Sequence, residues 1–192
     1  MEDFDPFKNT LCQVWCFQVK PPLYLNLGCG DKVCQAHFPW INIDSNPVCE
    51  PDVVADVCDL PYEDGEVDMV YAGHVLEHLS LDDGVPRCLG EIRRVLSEFG
   101  QACFVGPDYD RVVGDPQWKE MGDYDNLVER VLHGDGSRDG AEHLWVATAT
   151  NTLAEVVKFF PTAHEVDIRT VHGIWPVFNS IGWQFAIVTG EA

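Results

Sequence analysis

Short apolar runs, separated by glycine, proline and acidic turns, dominate the first half of the chain. LYLNL at 23–27, WINID at 40–44, DVVAD at 52–56, VDMVY at 67–71 and QACFVG at 101–106 are each five or six residues long. Runs this short and this continuously apolar predict parallel strands covered on both faces. Between the fourth and fifth the period changes. Val85, Leu89, Ile92, Val95, Leu96 and Phe99 fall on one face at helical spacing, which predicts a helix over 84–99. Asp82 and Asp83 are placed to cap its start, and Gly100 to end it in a left-handed turn. Strand, helix, strand is the pattern of a right-handed parallel crossover.

Either side of this unit the pattern is looser. Residues 1–22 read as a lead-in, with a short helix in NTLCQVWCFQV stopped by Pro21 and Pro22. Residues 109–147 are polar, glycine-punctuated and rich in Asp, and are too long for an ordinary connection. They predict one helix over 117–132 and then a loop, the kind of insertion that forms a lid or a substrate site. A helix over 149–160 and strands near 164–170 and 183–189 complete a single α/β domain over 1–192. The link SNPVCEP between the second and third strands has seven residues. A parallel crossover usually takes about a dozen or more. Either a bare loop crosses there, or the two strands are not neighbours of the usual kind.

Charge narrows the partners. The formal net charge is −20, from 32 acidic and 12 basic residues, and the one basic cluster is Arg93 and Arg94. A field of that sign repels phosphate backbones and argues against nucleic acid. The eight cysteines form no C-x-x-C pair and read as reduced, mostly buried thiols. No apolar run approaches the ~20 residues that cross a bilayer, and the acidic start MEDFDPFKN carries no secretion pattern. A cytoplasmic protein without a membrane partner is the expectation; nothing in the pattern sets an oligomeric state.

The first strand runs into Gly28-Cys29-Gly30, a turn that lets backbone approach a ligand closely. A dinucleotide fingerprint needs a third glycine, where Val33 stands, and a phosphate loop needs G-K-[ST], which is missing. A nucleotide-like ligand without phosphates, such as S-adenosylmethionine, suits the turn better. Asp44 ends the second strand, where a ribose needs an acceptor, and Asp56 ends the third, where an adenine amino group needs one.

LNLGCG, WINIDSN, VVADVCDLPYEDGEVDMVYAGHVLEHL and EIRRVLSEFGQACFVGPD resemble, in that order, the motifs of class I S-adenosylmethionine-dependent methyltransferases, with small bacterial and phage members the nearest in kind. The resemblance spans about residues 23–108. It implies a Rossmann-like, doubly wound, mostly parallel seven-stranded sheet. The last strand would be antiparallel, the first crossovers short, and a helical or loop insertion would follow strand 5. It also implies S-adenosylmethionine as cofactor, S-adenosylhomocysteine as product, and a small-molecule methyl acceptor. Carried over, Gly28, Cys29 and Gly30 line the methionine end, Asp44 with Ser45 beside it binds the ribose, and Asp56 with the backbone of Val57 reads the adenine. Ala72, Gly73 and His74 face the sulfonium, and the loop HGDGSRDGAEHLW places His143 near the acceptor. Two positions depart from the family pattern: Asn26, where many relatives carry an acid, and Lys32, where they carry a glycine.

Around the expected pocket mouth stand His133, His143, Trp145, Asp108, Tyr109 and Asp110. Methyl transfer to a hydroxyl or amine benefits from a base, and His143 or Asp108 is placed for that part; Tyr109, Asp110, His133 and Trp145 are candidates for holding the acceptor. HVLEH, residues 74–78, also fits the H-x-x-E-H pattern of zinc hydrolases. That reading needs a long helix and a third ligand, so no metal is assigned. The rivals are a cofactor-binding module without turnover and, behind it, a zinc hydrolase.

Overall fold

The computed structural model describes residues 20–30, 40–120, 124–134, 142–171, 175 and 184–190. The expected helix before Pro21, together with Cys12, Cys16 and Cys34, lies outside the described residues. Seven strands form one sheet: β1 (Tyr24–Leu27), β2 (Trp40–Asp44), β3 (Val53–Val54), β4 (Val67–Gly73), β5 (Leu96–Pro107), β6 (His164–Val166) and β7 (Gln184–Val188). Their order is β3-β2-β1-β4-β5-β7-β6, all parallel except β7, which runs antiparallel to both its neighbours. The sheet is thus the mostly parallel α/β sheet with one reversed strand that the sequence leads one to expect.

Side chains of the strands divide between two cores. Leu25, Leu27, Ile43, Val70, Ala72, Ala102, Phe104, Phe185 and Ile187 face one side, where α1 (Gly84–Val95) and α5 (Ala149–Val156) pack. Tyr71, Cys103, Val105 and Ala186 face the other, against Trp40, Ile168, Val171 and Trp175. Two apolar faces explain the unbroken hydrophobic runs: successive side chains point to opposite sides, and both sides are covered.

Val85, Cys88, Leu89, Ile92 and Val95 of α1 are fully buried, but the helix ends at Val95. Leu96 is already extended and pairs with Val67 of β4, and Phe99 is 88% exposed. The helical period therefore overran the boundary by one turn, because Leu96 satisfies both the helix face and the strand. Gly100 does not cap the helix. It sits in β5 at a register shift, where a Cβ would come 3.0 Å from the Val67 carbonyl oxygen. The start is capped by Ser80, whose Oγ accepts the Gly84 N–H at 3.0 Å, and Asp83 makes no capping bond.

The link SNPVCEP takes the first of its two alternatives, and the expectation for the later insertion is corrected. β2 and β3 are parallel neighbours joined by a bare link, with one 3-10 turn at Pro47–Cys49 capped by Asn46. A two-residue strand at the sheet edge needs no covering helix to reach it. The single helix expected over 117–132 is two, α3 (Pro116–Lys119) and α4 (Tyr124–His133), preceded by α2 (Tyr109–Gly114). Pro116 fits only a first helical turn, so the chain breaks before it. Arg94 and Glu91 are built into the fold. The Arg94 guanidinium donates to the Leu60 and Tyr62 carbonyls and to Asp64 and Glu91, and Glu91 accepts the Leu60 N–H, which ties the link before β4 to α1.

Candidate functional site

The carboxyl ends of β3, β2, β1 and β4 lie side by side along one edge of the sheet. Strand order reverses at β1, the place where open α/β sheets leave a crevice. The turn after β1 holds Gly28 at φ +58° and Gly30 at φ +53°, conformations that favour glycine. A Cβ on Gly28 would also sit 2.6 Å from Val75 Cγ2, so only a glycine leaves this cradle open. Between the two, the Cys29 N–H donates to the Ile43 carbonyl at 3.1 Å and the thiol is buried. Burial, with Asp44 nearby, pushes that thiol up to about 11, so it stays protonated.

Asp44 closes the turn. One carboxylate oxygen accepts the Gly30 N–H and the other the Asn46 N–H, both at 2.8 Å. Each oxygen keeps lone-pair capacity for a further donor. Asp56 is exposed and accepts the Cys58 N–H at 2.8 Å, with Val57 partly buried beside it. Ser45 is exposed at the β2 end. Ala72 is buried and Gly73 partly so, and a methyl on Gly73 would run into the Tyr71 ring. Four strand ends at about 4.8 Å spacing span about 14 Å, the scale of an adenosine carrying an amino-acid arm. Two carboxylates with spare acceptor capacity suit ribose and adenine donors. No Lys or Arg stands among the described residues of 27–30, 44–50, 54–60 and 72–78 to meet a phosphate. The edge fits a phosphate-free adenosyl group.

Sequence reading passed over what stiffens this edge. Asn26, 2% exposed, donates through Nδ2 to Asn42 Oδ1 at 2.9 Å, and Asn42 donates through its backbone N–H and Nδ2 to Asp52. This polar chain crosses β1 and β2 toward β3. The signal was visible as three polar residues inside apolar runs.

Beyond β4 the chain turns sharply. His74 has φ +58°, donates its N–H to the Val105 carbonyl at 2.7 Å, and places Nδ1 3.0 Å from Glu77 Oε1. HVLEH continues as a single 3-10 turn, Leu76–His78, not the long helix that the H-x-x-E-H pattern of zinc hydrolases needs. Glu77 is 2% exposed. Burial alone would raise its carboxyl; the hydrogen bond and charge of His74, with the charge of His78, outweigh that and hold it below the ordinary carboxylate value.

Residues 142–145 dock on this turn through three bonds. The Leu144 N–H donates to the Glu77 carbonyl at 2.8 Å, Trp145 Nε1 donates to the Leu76 carbonyl at 3.0 Å, and His78 Nδ1 lies 3.0 Å from the Glu142 carbonyl. His143 is thereby brought to Glu77 and His78, its ring centroid 5.0 Å from that of His78. Its Nδ1 lies 2.8 Å from the Val131 carbonyl of α4. A carbonyl only accepts, so Nδ1 carries the hydrogen and Nε2 of the neutral ring keeps its lone pair. Burial lowers the His143 pKa below the ordinary imidazole value.

The remaining candidates scatter. Asp108, 4% exposed, faces the Arg111 guanidinium at 3.4 Å, and burial raises its pKa. Tyr109 donates its N–H to the Ala147 carbonyl, Asp110 is exposed, and His133 is exposed with Nε2 3.8 Å from Glu129.

Residues 25–104 match the methyltransferase domain family. No curated protein sequence matches the chain. Among solved structures, a Pyrococcus horikoshii protein superposes with a TM-score of 0.57 at 18% identity, over 92% of this chain and 84% of its own. An S-adenosylmethionine-dependent methyltransferase of Archaeoglobus fulgidus gives 0.56 at 13%, over 88% and 86%. Human N-acetylserotonin methyltransferase, solved with S-adenosylmethionine, gives 0.56 at 15%, over 88% of this chain and 47% of its own. These likenesses concern the fold. With the ordered motifs and the phosphate-free edge, the match identifies a methyltransferase domain over 25–104, on a fold shared with S-adenosylmethionine-dependent methyltransferases.

Proposed function

We propose that the enzyme methylates a hydroxyl or an amine of a small molecule, in the cytoplasm, with residues 109–147 supplying the acceptor side of one domain over 1–192. The reading rests above all on His143. Its Nε2 lone pair is oriented by the bond of Nδ1 to Val131, and the ring is kept neutral by burial. A neutral, oriented imidazole beside the β4 end is the group that removes a proton from an acceptor hydroxyl or ammonium. Asp108 is the second candidate base, although the Arg111 guanidinium beside it favours a positioning part. Trp145 and Tyr109 border the same side, whereas His133 and Asp110 would meet only an acceptor reaching the outer surface. The charge of −20 favours a small neutral or cationic acceptor over nucleic acid. Five described cysteines are free thiols, in keeping with a reducing compartment, and no described helix is long and apolar enough to cross a membrane.

In this reading Gly28, Cys29 and Gly30 hold the methionine end, Asp44 and Ser45 the ribose, Asp56 and Val57 the adenine, and Ala72, Gly73 and His74 border the sulfonium. The bound cofactor supplies an already activated methyl group, so the chain's own work is alignment and proton removal. S-adenosylmethionine offered with a panel of hydroxylated and amine-bearing small molecules is expected to yield S-adenosylhomocysteine and a methylated product by mass spectrometry. His143→Ala is expected to lower kcat roughly 10²–10⁴-fold with S-adenosylhomocysteine affinity unchanged. Normal turnover by both His143→Ala and Asp108→Ala would remove the base; cofactor binding with no methylated product in any extract would leave a binding module.

A further inference from the structure

We propose that Glu77, His78 and His143 form a binding site for one divalent transition-metal ion of the zinc class, on the acceptor side of the pocket. One ligand atom from each lies within 4.8 Å of the others, the group so placed among the described residues. Nothing in the H-x-x-E-H spacing selects this set. That pattern nominates His74 and His78, but His74 Nδ1 is engaged with Glu77 Oε1, and the ligand that joins is His143, 65 positions along from His78.

Three features are those of a metal site. First, both imidazoles are oriented by the same device: His78 Nδ1 on the Glu142 carbonyl and His143 Nδ1 on the Val131 carbonyl. Metal-bound histidines characteristically donate the other ring N–H in this way, which fixes the tautomer and aims the lone pair. Second, the carboxylate is oriented from behind by His74, leaving one oxygen of Glu77 for the ion. Third, two imidazoles stand beside a buried carboxylate, so a cation among them would meet nitrogen donors and a counter-charge together. Two imidazoles and one carboxylate, with an open fourth position, are a donor set that zinc takes. Tetrahedral binding at ~2.1 Å needs donors roughly 3.4 Å apart, so the set closes by a little over an ångström on loading. Glu77 is buried and the two histidines are only partly so, which leaves the ion an approach from the histidine side. The site shares His143 with the proposed base, so it deepens that reading: a loaded ion would polarise an acceptor oxygen in place of His143 Nε2.

The test does not use methyl transfer. Full-length enzyme stripped with chelator is titrated with zinc by calorimetry and with cobalt(II) by visible absorption, alongside S-adenosylhomocysteine binding as a check of the fold. One equivalent of metal is expected, with the intense visible bands of four-coordinate cobalt. His78→Ala and His143→Ala are expected to weaken zinc more than about 100-fold and to abolish those bands, while His74→Ala, which removes only the orienting partner, weakens zinc about 10–100-fold. Glu77→Gln keeps the shape and removes the charge, so zinc loss with S-adenosylhomocysteine binding intact supports the site even if an alanine variant folds poorly. Substoichiometric binding by the parent enzyme, or unchanged zinc affinity in His143→Ala, overturns it. A missing methylated product would sink the acceptor reading and leave these metal readouts as they are.

Discussion

The proposed cofactor edge and the proposed acceptor side are built by opposite means. At the edge each functional group is held by neighbours in the chain or in the next strand. Asp44 is pinned by Gly30 and by Asn46, two residues on, and Asp56 by Cys58, two residues on. On the acceptor side the groups come from positions more than sixty residues apart and meet through bonds to backbone carbonyls between the 3-10 turn and residues 142–145. The edge stands on buried parallel strands. The acceptor side is docked on that turn by three hydrogen bonds, each worth roughly 0.5–1.5 kcal/mol net. A site that must hold one cofactor gains from the first construction; a site that must admit and release an acceptor gains from the second.

The largest way to break this contrast is Gly28→Val. The side chain would meet Val75 and must adopt φ +58°. A loss of roughly 2–4 kcal/mol is expected from backbone strain and overpacking, with S-adenosylhomocysteine binding abolished in calorimetry. Asp44→Ala should come next. It leaves the Gly30 and Asn46 N–H groups without their acceptor, and a cost of about 1–3 kcal/mol is expected, with cofactor affinity falling more than tenfold. Trp145→Phe sharpens the comparison from the other side. It removes one docking bond at about 1 kcal/mol, and faster amide exchange over 142–145 is expected while cofactor affinity holds.

The smallest expected effect concerns Asp108. Burial raises its pKa in the folded state, so the protonated form is favoured by folding. Its contribution is therefore greatest below the ordinary carboxylate value and declines as pH rises through the raised one. Asp108→Asn should flatten that decline in denaturant titrations run from pH 4 to 7. A variant whose stability still falls over that range in step with the parent would show that Asp108 is not the group responsible.

What could be seen in the linear sequence follows the same division. The edge was legible because a glycine turn, Asp44 and Asp56 each close an apolar run, and a strand end declares itself locally. Leu96 and Phe99 misled because hydrophobic period does not say where a helix hands its last apolar residue to a strand; pairing with Val67 decides it. The helix expected over 117–132 already began after Pro116; its apolar spacing carried it across the boundary between α3 and α4. His143 could be named as a residue near the acceptor, but neither its tautomer nor its company could be read, since both depend on Val131, Glu77 and His78.

The chain by itself determined the sheet, its two covered faces, and the order of groups along its carboxyl edge, because side-chain alternation and turn chemistry act over a few residues. Only the tertiary structure decided which histidine meets Glu77, and that His74 turns to support the carboxylate. Those outcomes depend on where distant backbone carbonyls come to rest, and no local pattern of residues carries that information.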